Sequence, residues 1–326
     1  MNDLLLEKAA YTTADLTAGA GKMTRAQADR FIDMTVNNSV MFRDGLARTL
    51  RVDHRSGRIN RIKFAEPVTY GAEEGVLVTR TVKPTNSWID YTTRKLTSAR
   101  DTTTETYEEN IEGDSHEETV VNAFAAQMGN DFEHVGILGD TVAYAADGSA
   151  TGLLLRTMDG WYKQSSGGHM VDAGGATISK IIFSKMIRAL PNYYKQRRGA
   201  LCFMMSPGLV QDWRDQLASR NTDVGDQNLV GSGTLAAYGV PIREVPLIPE
   251  NLDSYDGSTS YGDATFIWLT FPGNFTRVIS RDIETYSEFK PREDLTQWTM
   301  YTYQGLFLQE ADALVTCHSC RISGPA

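Results

Sequence analysis

Two short motifs begin like nucleotide-binding or catalytic sites, and each lacks a residue that the chemistry needs. Residues 19–24 are rich in glycine and contain a lysine, as a phosphate-binding loop does. Such a loop also needs an earlier glycine and a Ser or Thr after the lysine, but Leu16 and Met23 stand there. His116 opens a pattern like that of zinc proteases, but Val120 stands where the second histidine must be.

The cysteines and one serine are the other candidates for metal or nucleophilic chemistry. Cys317 and Cys320 have the spacing of half a zinc knuckle, but Cys202 supplies no matching second pair for a tetrahedral site. Ser232 lies between two glycines without the spacing of a nucleophile elbow. An odd number of cysteines in a long chain does not indicate a disulfide framework. We therefore expect no catalytic residue, no metal and no cofactor, and a protein that is not an enzyme.

Length and composition are those of a folded protein with more than one part. The 326 residues exceed the usual size of a single core, so two domains or one body with large extensions are expected. The hydrophobic share of 41% leaves ample material for a core. No run approaches the length of a membrane span, so we expect no membrane partner. The net charge of -9 argues against a general nucleic-acid binder, because phosphate binding needs clustered Lys and Arg.

Charge is unevenly distributed along the chain. Residues 101–155 contain many acids and no Lys or Arg, whereas residues 43–63 and 180–198 are mainly basic. Complementary patches on one chain predict association between copies, and the alternative is a set of solvated faces that never meet. The candidate contacts between copies are Arg43, Arg48, Arg51, Arg55, Arg58, Arg61, Lys63, Glu73, Glu74, Glu105, Glu108, Glu109 and Glu112.

A long amphipathic helix is predicted from Ser115 to Gly139. Ser115 and Glu118 form a capping box at its start, and Gly139 is expected to adopt the left-handed conformation that closes a helix. At about 1.5 Å per residue the helix reaches roughly 35 Å, as long as a small domain is wide. The apolar side chains recur at helical spacing and predict a core stripe of Val121, Phe124, Met128, Phe132 and Val135.

The segments before this helix are predicted to need support from elsewhere. Residues 1–52 look like an arm with a helix over residues 24–37, and the alternation over residues 58–66 predicts a strand. A second extended run begins at Val76, so the pair predicts a long hairpin with a flexible acidic tip. A long hairpin with few large apolar residues is marginal alone, so it should lie on another surface.

The second half of the chain alternates helices and strands. A helix is predicted over residues 179–190, a buried central strand over 201–205, and a helix that opens at Ser206-Pro207. Residues 239–248 are expected at a sheet edge, because their prolines exclude central ladder positions. From residue 266 onward the pattern is mostly β, so the fold class is α+β.

Two stretches carry a resemblance to a known family. Residues 94–140 contain the acidic lead-in and the long helix and end in Leu138-Gly139-Asp140, and residues 186–249 contain Leu190-Pro191 and Tyr238-Gly239-Val240-Pro241. With the order of the other parts, they resemble the tailed-phage major capsid protein of the Hong Kong 97 (HK97-like) type. The resemblance implies an N-terminal arm at 1–52, an extended hairpin loop at 53–100, a peripheral domain at 101–155 and 270–315 with the spine helix at 115–139, and an axial domain at 156–269 and 316–326.

The resemblance also implies a structural function. Copies would assemble as hexamers and pentamers into the icosahedral capsid of a tailed bacteriophage, around double-stranded DNA that is bound without sequence specificity. Portal, scaffold and decoration proteins would be the other partners, with assembly in the host cytoplasm and procapsid maturation. Many relatives carry a long N-terminal scaffolding segment that is cleaved off; here the arm begins almost at once, as expected if that segment is absent or already removed.

Two other interpretations stay open at this point. A bacterial encapsulin has the same fold and encloses enzyme cargo, and composition does not separate the two. A soluble two-domain hydrolase or binding protein would instead be a monomer or a small oligomer.

Overall fold

A computed structural model describes residues 39–64, 67–69, 71, 75, 82–103, 116–196, 198–219, 235–252 and 264–323. The helices in these residues are α1 (Val40–Arg43), α2 (His116–Leu138), α3 (Ala150–Leu155), α4 (Trp161–Gln164), α5 (Lys180–Ala189), α6 (Asn192–Lys195) and α7 (Pro207–Ala218), with short 3-10 turns at Ser165–Gly167, Arg198–Ala200 and Ala311–Ala313. The strands are β1 (Ala47–Arg51), β2 (Ser56–Lys63), β3 (Thr85–Thr92), β4 (Arg94–Thr103), β5 (His169–Asp172), β6 (Cys202–Met205), β7 (Ala236–Ala237), β8 (Val240–Glu244), β9 (Ala264–Thr270), β10 (Phe275–Lys290), β11 (Leu295–Leu308) and β12 (Val315–Arg321). Within the described helices no stretch is long and apolar enough to cross a lipid bilayer.

The described strands form two large sheets and a hairpin. The four-stranded sheet has the order β1-β10-β11-β4, in which β1 runs parallel to β10 and the other neighbours are antiparallel. The six-stranded sheet has the order β5-β12-β9-β6-β8-β7, and β2 pairs with β3 alone. Helices and sheets are therefore mixed along the chain, which confirms the α+β fold class.

The long helix α2 lies on the four-stranded sheet and begins and ends one residue inside its predicted limits. Val135, farther along the helix, enters the main core. The side chain of Val121 and the whole of Ser115 lie outside the described residues. The cluster under the helix consists of Ala125, Met128, Phe132, Ile283 and Met300, with Phe124 and Leu96 partly buried beside it. Burying each large apolar side chain contributes about 1.5–3 kcal/mol, so this stripe fixes which face of the helix meets the sheet.

Gly139 follows the helix, but the predicted left-handed conformation is wrong, because the described residues with positive φ do not include it. Glycine is needed there for lack of space. A Cβ atom at Gly139 would lie 2.3 Å from the carbonyl oxygen of Met158 and 2.7 Å from that of Val135. Gly160 is equally confined, since its Cβ would lie 2.6 Å from the amide nitrogen of Gly139. Its own amide donates to the Gly139 carbonyl oxygen at 2.7 Å.

The main core joins the two sheets to residues 41–47. A chain of aromatic rings runs through it, with centroids of successive rings 4.7–6.2 Å apart, namely Phe42, Trp161, Phe275, Trp268 and Phe266. Met41 and Leu46 are also buried in this core. The predicted arm limit at residue 52 therefore includes residues that the structure places in the body, because β1 completes the four-stranded sheet.

The helices α5 and α7 pack on the six-stranded sheet, where β6 is buried at every position and central. Residues 240–244 form β8, which lies between β6 and the two-residue strand β7. The edge character expected of this segment is kept in the described sheet, because Val240 and Pro241 pair with β7 alone and residues 242–244 pair with β6 alone. Pro241 is tolerated because it lies opposite Ala236 on the short β7, and the ladder with β6 begins only at Ile242.

We expect Gly139→Ala to lower the free energy of unfolding by about 1–3 kcal/mol, since the added methyl group meets backbone oxygens that cannot move aside. Gly148→Ala is the matched control, because a Cβ atom there meets nothing within 4 Å. It should change stability by about 0.5 kcal/mol or less. Urea unfolding followed by tryptophan fluorescence measures both, and equal stability of the two variants would contradict the close backbone contact.

Candidate assembly surface and N-terminal anchor

The hairpin of β2 and β3 has one face on the body. The strands pair in register from Ser56 opposite Thr92 to Lys63 opposite Thr85. The inner face of the hairpin carries Ile59, Ile89 and Tyr91. These side chains pack against Val278 and Phe307 of the four-stranded sheet, with Val52 beside them. The root of the hairpin is therefore attached to its own chain.

The outer face of the hairpin exposes large apolar side chains. Trp88 is 55% exposed and Ile62 is 68% exposed. Trp88 lies opposite Asn60, and Ile62 lies opposite Asn86, so both apolar side chains are on the same face. Phe64, directly after β2, is 55% exposed. Sequence reasoning missed this apolar face, because only the pairing register brings Trp88 and Ile62 together.

The predicted basic contact residues do not form one patch. Arg43 pairs with Asp44 at 3.1 Å and Arg58 pairs with Asp90 at 2.8 Å, while Arg61 forms an ion pair with Glu310. The remaining members differ in their surroundings: Arg55 lies 4.2 Å from the ring centroid of Tyr303, Arg48 and Arg51 are exposed on β1, and the side chain of Lys63 lies outside the described residues.

The predicted acidic contact residues Glu73, Glu74, Glu105, Glu108, Glu109 and Glu112 lie outside the described residues. Their meeting with the basic residues of another copy stays a prediction. Within the described part of the chain, Arg43, Arg58 and Arg61 already have acidic partners of their own. Arg48 is exposed on β1, a strand at the edge of the described sheet.

A buried carboxylate anchors the segment at residue 39 to the long helix. Glu133 of α2 is 1% exposed, and its Oε2 accepts hydrogen bonds from the Ser39 hydroxyl and, at 3.1 Å, from the Met41 amide. It therefore caps the first turn of α1. Burial raises the pKa of Glu133, and the hydrogen bonds from Ser39 and Met41 oppose that rise.

A buried cation holds the same segment from the sheet side. Arg277 of β10 is 2% exposed, and its guanidinium lies 3.9 Å from the ring centroid of Phe42. Its Nη2 donates to the Thr49 hydroxyl at 3.4 Å, and among the described residues no carboxylate lies within ion-pair distance. Burial lowers the pKa of Arg277 to about 9, so the group remains charged at neutral pH. A desolvated cation over an aromatic ring contributes about 2 kcal/mol, which supports the docking of α1.

The residues around β12 come nearest to a catalytic arrangement in the described part of the chain. His318 Nδ1 lies 3.0 Å from the Ser319 hydroxyl and 3.6 Å from Asp172. A catalytic triad needs the serine and the carboxylate on opposite ring nitrogens, so this arrangement cannot act as one.

Burial raises the pKa of Cys317 to about 12 and raises that of Cys320. Both thiols are therefore protonated and unreactive at neutral pH. No group of three or more His, Cys, Asp or Glu in the described ranges is placed to hold a metal ion.

Comparison with known proteins finds a relative in sequence. No family profile matches the chain. A protein of Bacillus subtilis (strain 168) named "Putative prophage capsid protein YqbE" is 32% identical over 287 residues. The matched region covers 86% of this chain and 87% of that protein.

Solved structures share the fold over nearly the full length. A chain of the satellite phage P4 procapsid that includes the size determination (Sid) protein superposes with a TM-score of 0.67 at 13% identity, covering 95% of this chain and 96% of that one. The holo-SrpI encapsulin from Synechococcus elongatus PCC 7942 gives a TM-score of 0.56 at 12% identity, covering 97% of each chain. At such identities the likeness is one of fold alone.

We expect Glu133→Gln to gain stability relative to the wild type as the pH rises from about 4 to about 7. The native state binds the Glu133 proton more tightly than the unfolded chain, where the pKa is near its ordinary 4.5. The raised pKa therefore stabilises the folded wild type most when the pH is below 4.5, and this stabilisation is lost as the pH rises through the raised native pKa. The glutamine of the variant does not titrate, so its stability lacks this dependence. Urea unfolding of both proteins across the pH range measures the difference.

Glu133→Ala is the control for the hydrogen bonds. It leaves the Ser39 hydroxyl and the Met41 amide without their acceptor, so it should be less stable than Glu133→Gln at every pH, by about 1–3 kcal/mol. If the difference in unfolding free energy between the wild type and Glu133→Gln does not change with pH, then the native pKa of Glu133 is not raised.

Proposed function

The chain belongs to the capsid-protein family of tailed phages and prophages, with the HK97-like fold, and we propose that its copies assemble as hexamers and pentamers into an icosahedral head. It is a major capsid protein. The observation that supports this is the 32% sequence identity with the Bacillus prophage protein over most of both chains. The encapsulin relationship is weaker, because it consists of fold likeness only.

We propose that the head encloses double-stranded DNA and does not bind it by sequence. The net charge of -9 supports a wall that does not grip phosphate strongly, since phosphate binding needs clustered Lys and Arg. Portal, scaffold and decoration proteins are the proposed further partners, with assembly in the host cytoplasm and maturation from a procapsid. The role is structural, without catalysis, metal or cofactor.

We assign the parts of the fold to parts of the shell as follows. The four-stranded sheet with α2 is the peripheral domain, and the six-stranded sheet with α5 and α7 is the axial domain. The hairpin of β2 and β3 is the extended loop that reaches a neighbouring copy. Its inner face lies on its own chain at the root, so the outer face is the one left for the neighbour.

Trp88 and Ile62 are the proposed main contacts of the hairpin with that neighbour. Exposed apolar patches on soluble proteins mark interaction sites, and tryptophan is enriched among the residues that dominate interface energies. Arg48 is the proposed basic contact, facing the acidic residues Glu105 to Glu112 of another copy. Such charged pairs add specificity and speed of association more than affinity.

Expression of the full chain tests the function. Size-exclusion chromatography and negative-stain microscopy should show closed shells. Particles purified from a host cell that produces the complete phage should contain DNA that is protected from added nuclease. A stable monomer of 36.1 kDa at every protein and salt concentration would overturn the proposal.

We expect the double variant Trp88→Ser and Ile62→Ser to lose most shell formation while the chain stays folded. Each removed contact at an interface centre weakens association by about 2 kcal/mol, which is roughly thirtyfold. The readout is the fraction of protein in shells at fixed concentration, with circular dichroism to check folding. Val142→Ser is the control, because Val142 is 75% exposed but lies outside the hairpin. Normal shells from the double variant would exclude this face as a contact.

A further inference from the structure

The hairpin is attached to its own chain at a second point beyond its root. The root packs on the four-stranded sheet through Tyr91, Val278 and Phe307. Further along β2, Arg61 forms an ion pair with Glu310, which lies just before the 3-10 turn Ala311–Ala313. At this turn the chain passes from β11 in the first sheet to β12 in the second.

This ion pair is more enclosed than the Arg58–Asp90 pair of the same hairpin. The side chains of Arg61 and Glu310 are 23% and 15% exposed, whereas those of Arg58 and Asp90 are 65% and 63% exposed. Ion pairs on an open surface contribute little, because water and salt screen them. Partly enclosed pairs are screened less, so the Arg61 contact is the one that can restrain the direction of the strand.

Glu310 is itself held firmly. The fully buried side chain of Asn274 accepts a hydrogen bond from the Glu310 amide at 2.8 Å and donates one to the Glu310 carbonyl oxygen at 3.0 Å. The same Asn274 side chain donates to the Thr270 hydroxyl at 2.8 Å. The amide of Gln309 adds a bond to the Asn274 carbonyl oxygen at 2.9 Å. The backbone of Glu310 is therefore hydrogen-bonded, through Asn274, to the end of β9.

We propose that Glu310 is a positioning residue for assembly, which sets through Arg61 the angle at which the hairpin leaves the body. The angle decides where Trp88 and Ile62 meet the next copy. The hairpin is attached at two points, the apolar root and the Arg61 ion pair, and two points fix the direction of the hairpin. With the root alone, the hairpin could pivot about it. This role rests on the proposed shell function, but the angle itself is a property of a single chain.

Distance measurements between spin labels test the angle. Labels are attached to cysteines introduced at Asn86 on the hairpin and Gln211 on α7, both exposed, in the full chain diluted with unlabelled protein. The native Cys202, Cys317 and Cys320 are buried and do not compete. The wild type should give a narrow distance distribution. Arg61→Glu and Glu310→Arg should each broaden it, and the two together should narrow it again.

Glu310→Gln is the milder variant, which keeps the shape and removes the charge, and it should broaden the distribution less than Glu310→Arg. Thermal unfolding should stay close to that of the wild type for Glu310→Gln, because the root and the core are untouched. Asp90→Asn, which breaks the exposed pair with Arg58, is the matched control and should leave the distribution narrow. A narrow distribution in both charge-reversed single variants, or no recovery in the double variant, would overturn the proposal.

Shell yield then tests the link to assembly. Each charge-reversed single variant should lower the fraction of protein in shells about fivefold, and the double variant should restore it. A single variant with a broadened distribution and normal shells would overturn the positioning role. If the wild type forms no shells, the proposed function fails by itself, and the distance distributions still decide whether Glu310 sets the hairpin angle.

Discussion

The body of this protein depends on a place where two backbone segments touch with no room for a side chain. The end of α2 meets the segment before α4 at Gly139 and Gly160, and a Cβ atom at Gly136 would lie 2.8 Å from the Trp161 ring. These glycines let Trp161 enter the core directly beneath the helix end. The helix is thereby fixed at one end in the core and along its length on the four-stranded sheet, and a long rigid element can hold two sheets in a constant relation.

The segment at residue 39 is held by buried groups of opposite charge that do not pair with each other. Glu133 approaches it from α2 through hydrogen bonds, and Arg277 approaches it from β10 through the ring of Phe42. Burying charge in this way is weak evidence for stability, because each ion loses water. The arrangement instead specifies one position for the segment, since it must satisfy Glu133 and Arg277 at the same time.

Local patterns predicted the elements whose signals are local. The helix α2, the helix α5 and the strand β6 follow from the period of apolar side chains, and Ser206-Pro207 marks the start of α7. The structure differed from the prediction where a distant partner decides. Gly139 is confined by Met158, and the exposed face of the hairpin is set by its pairing register. Arg277 and Glu310 carry no signal in the sequence, because their roles exist only after strands far apart along the chain come together.

The parallel pairing of β1 with β10 has a consequence for the order of folding. Thr49 and Arg277, which contact each other across this pair, are 228 residues apart in the sequence. Contacts between such distant residues form slowly, because a long loop must close before they are made. During synthesis, β1 and the cluster under α2 must wait for residues 275–308, so a chain that stops early has neither a completed sheet nor a supported hairpin. The hairpin face proposed as the contact between copies is therefore supported only in a chain that already contains β10 and β11.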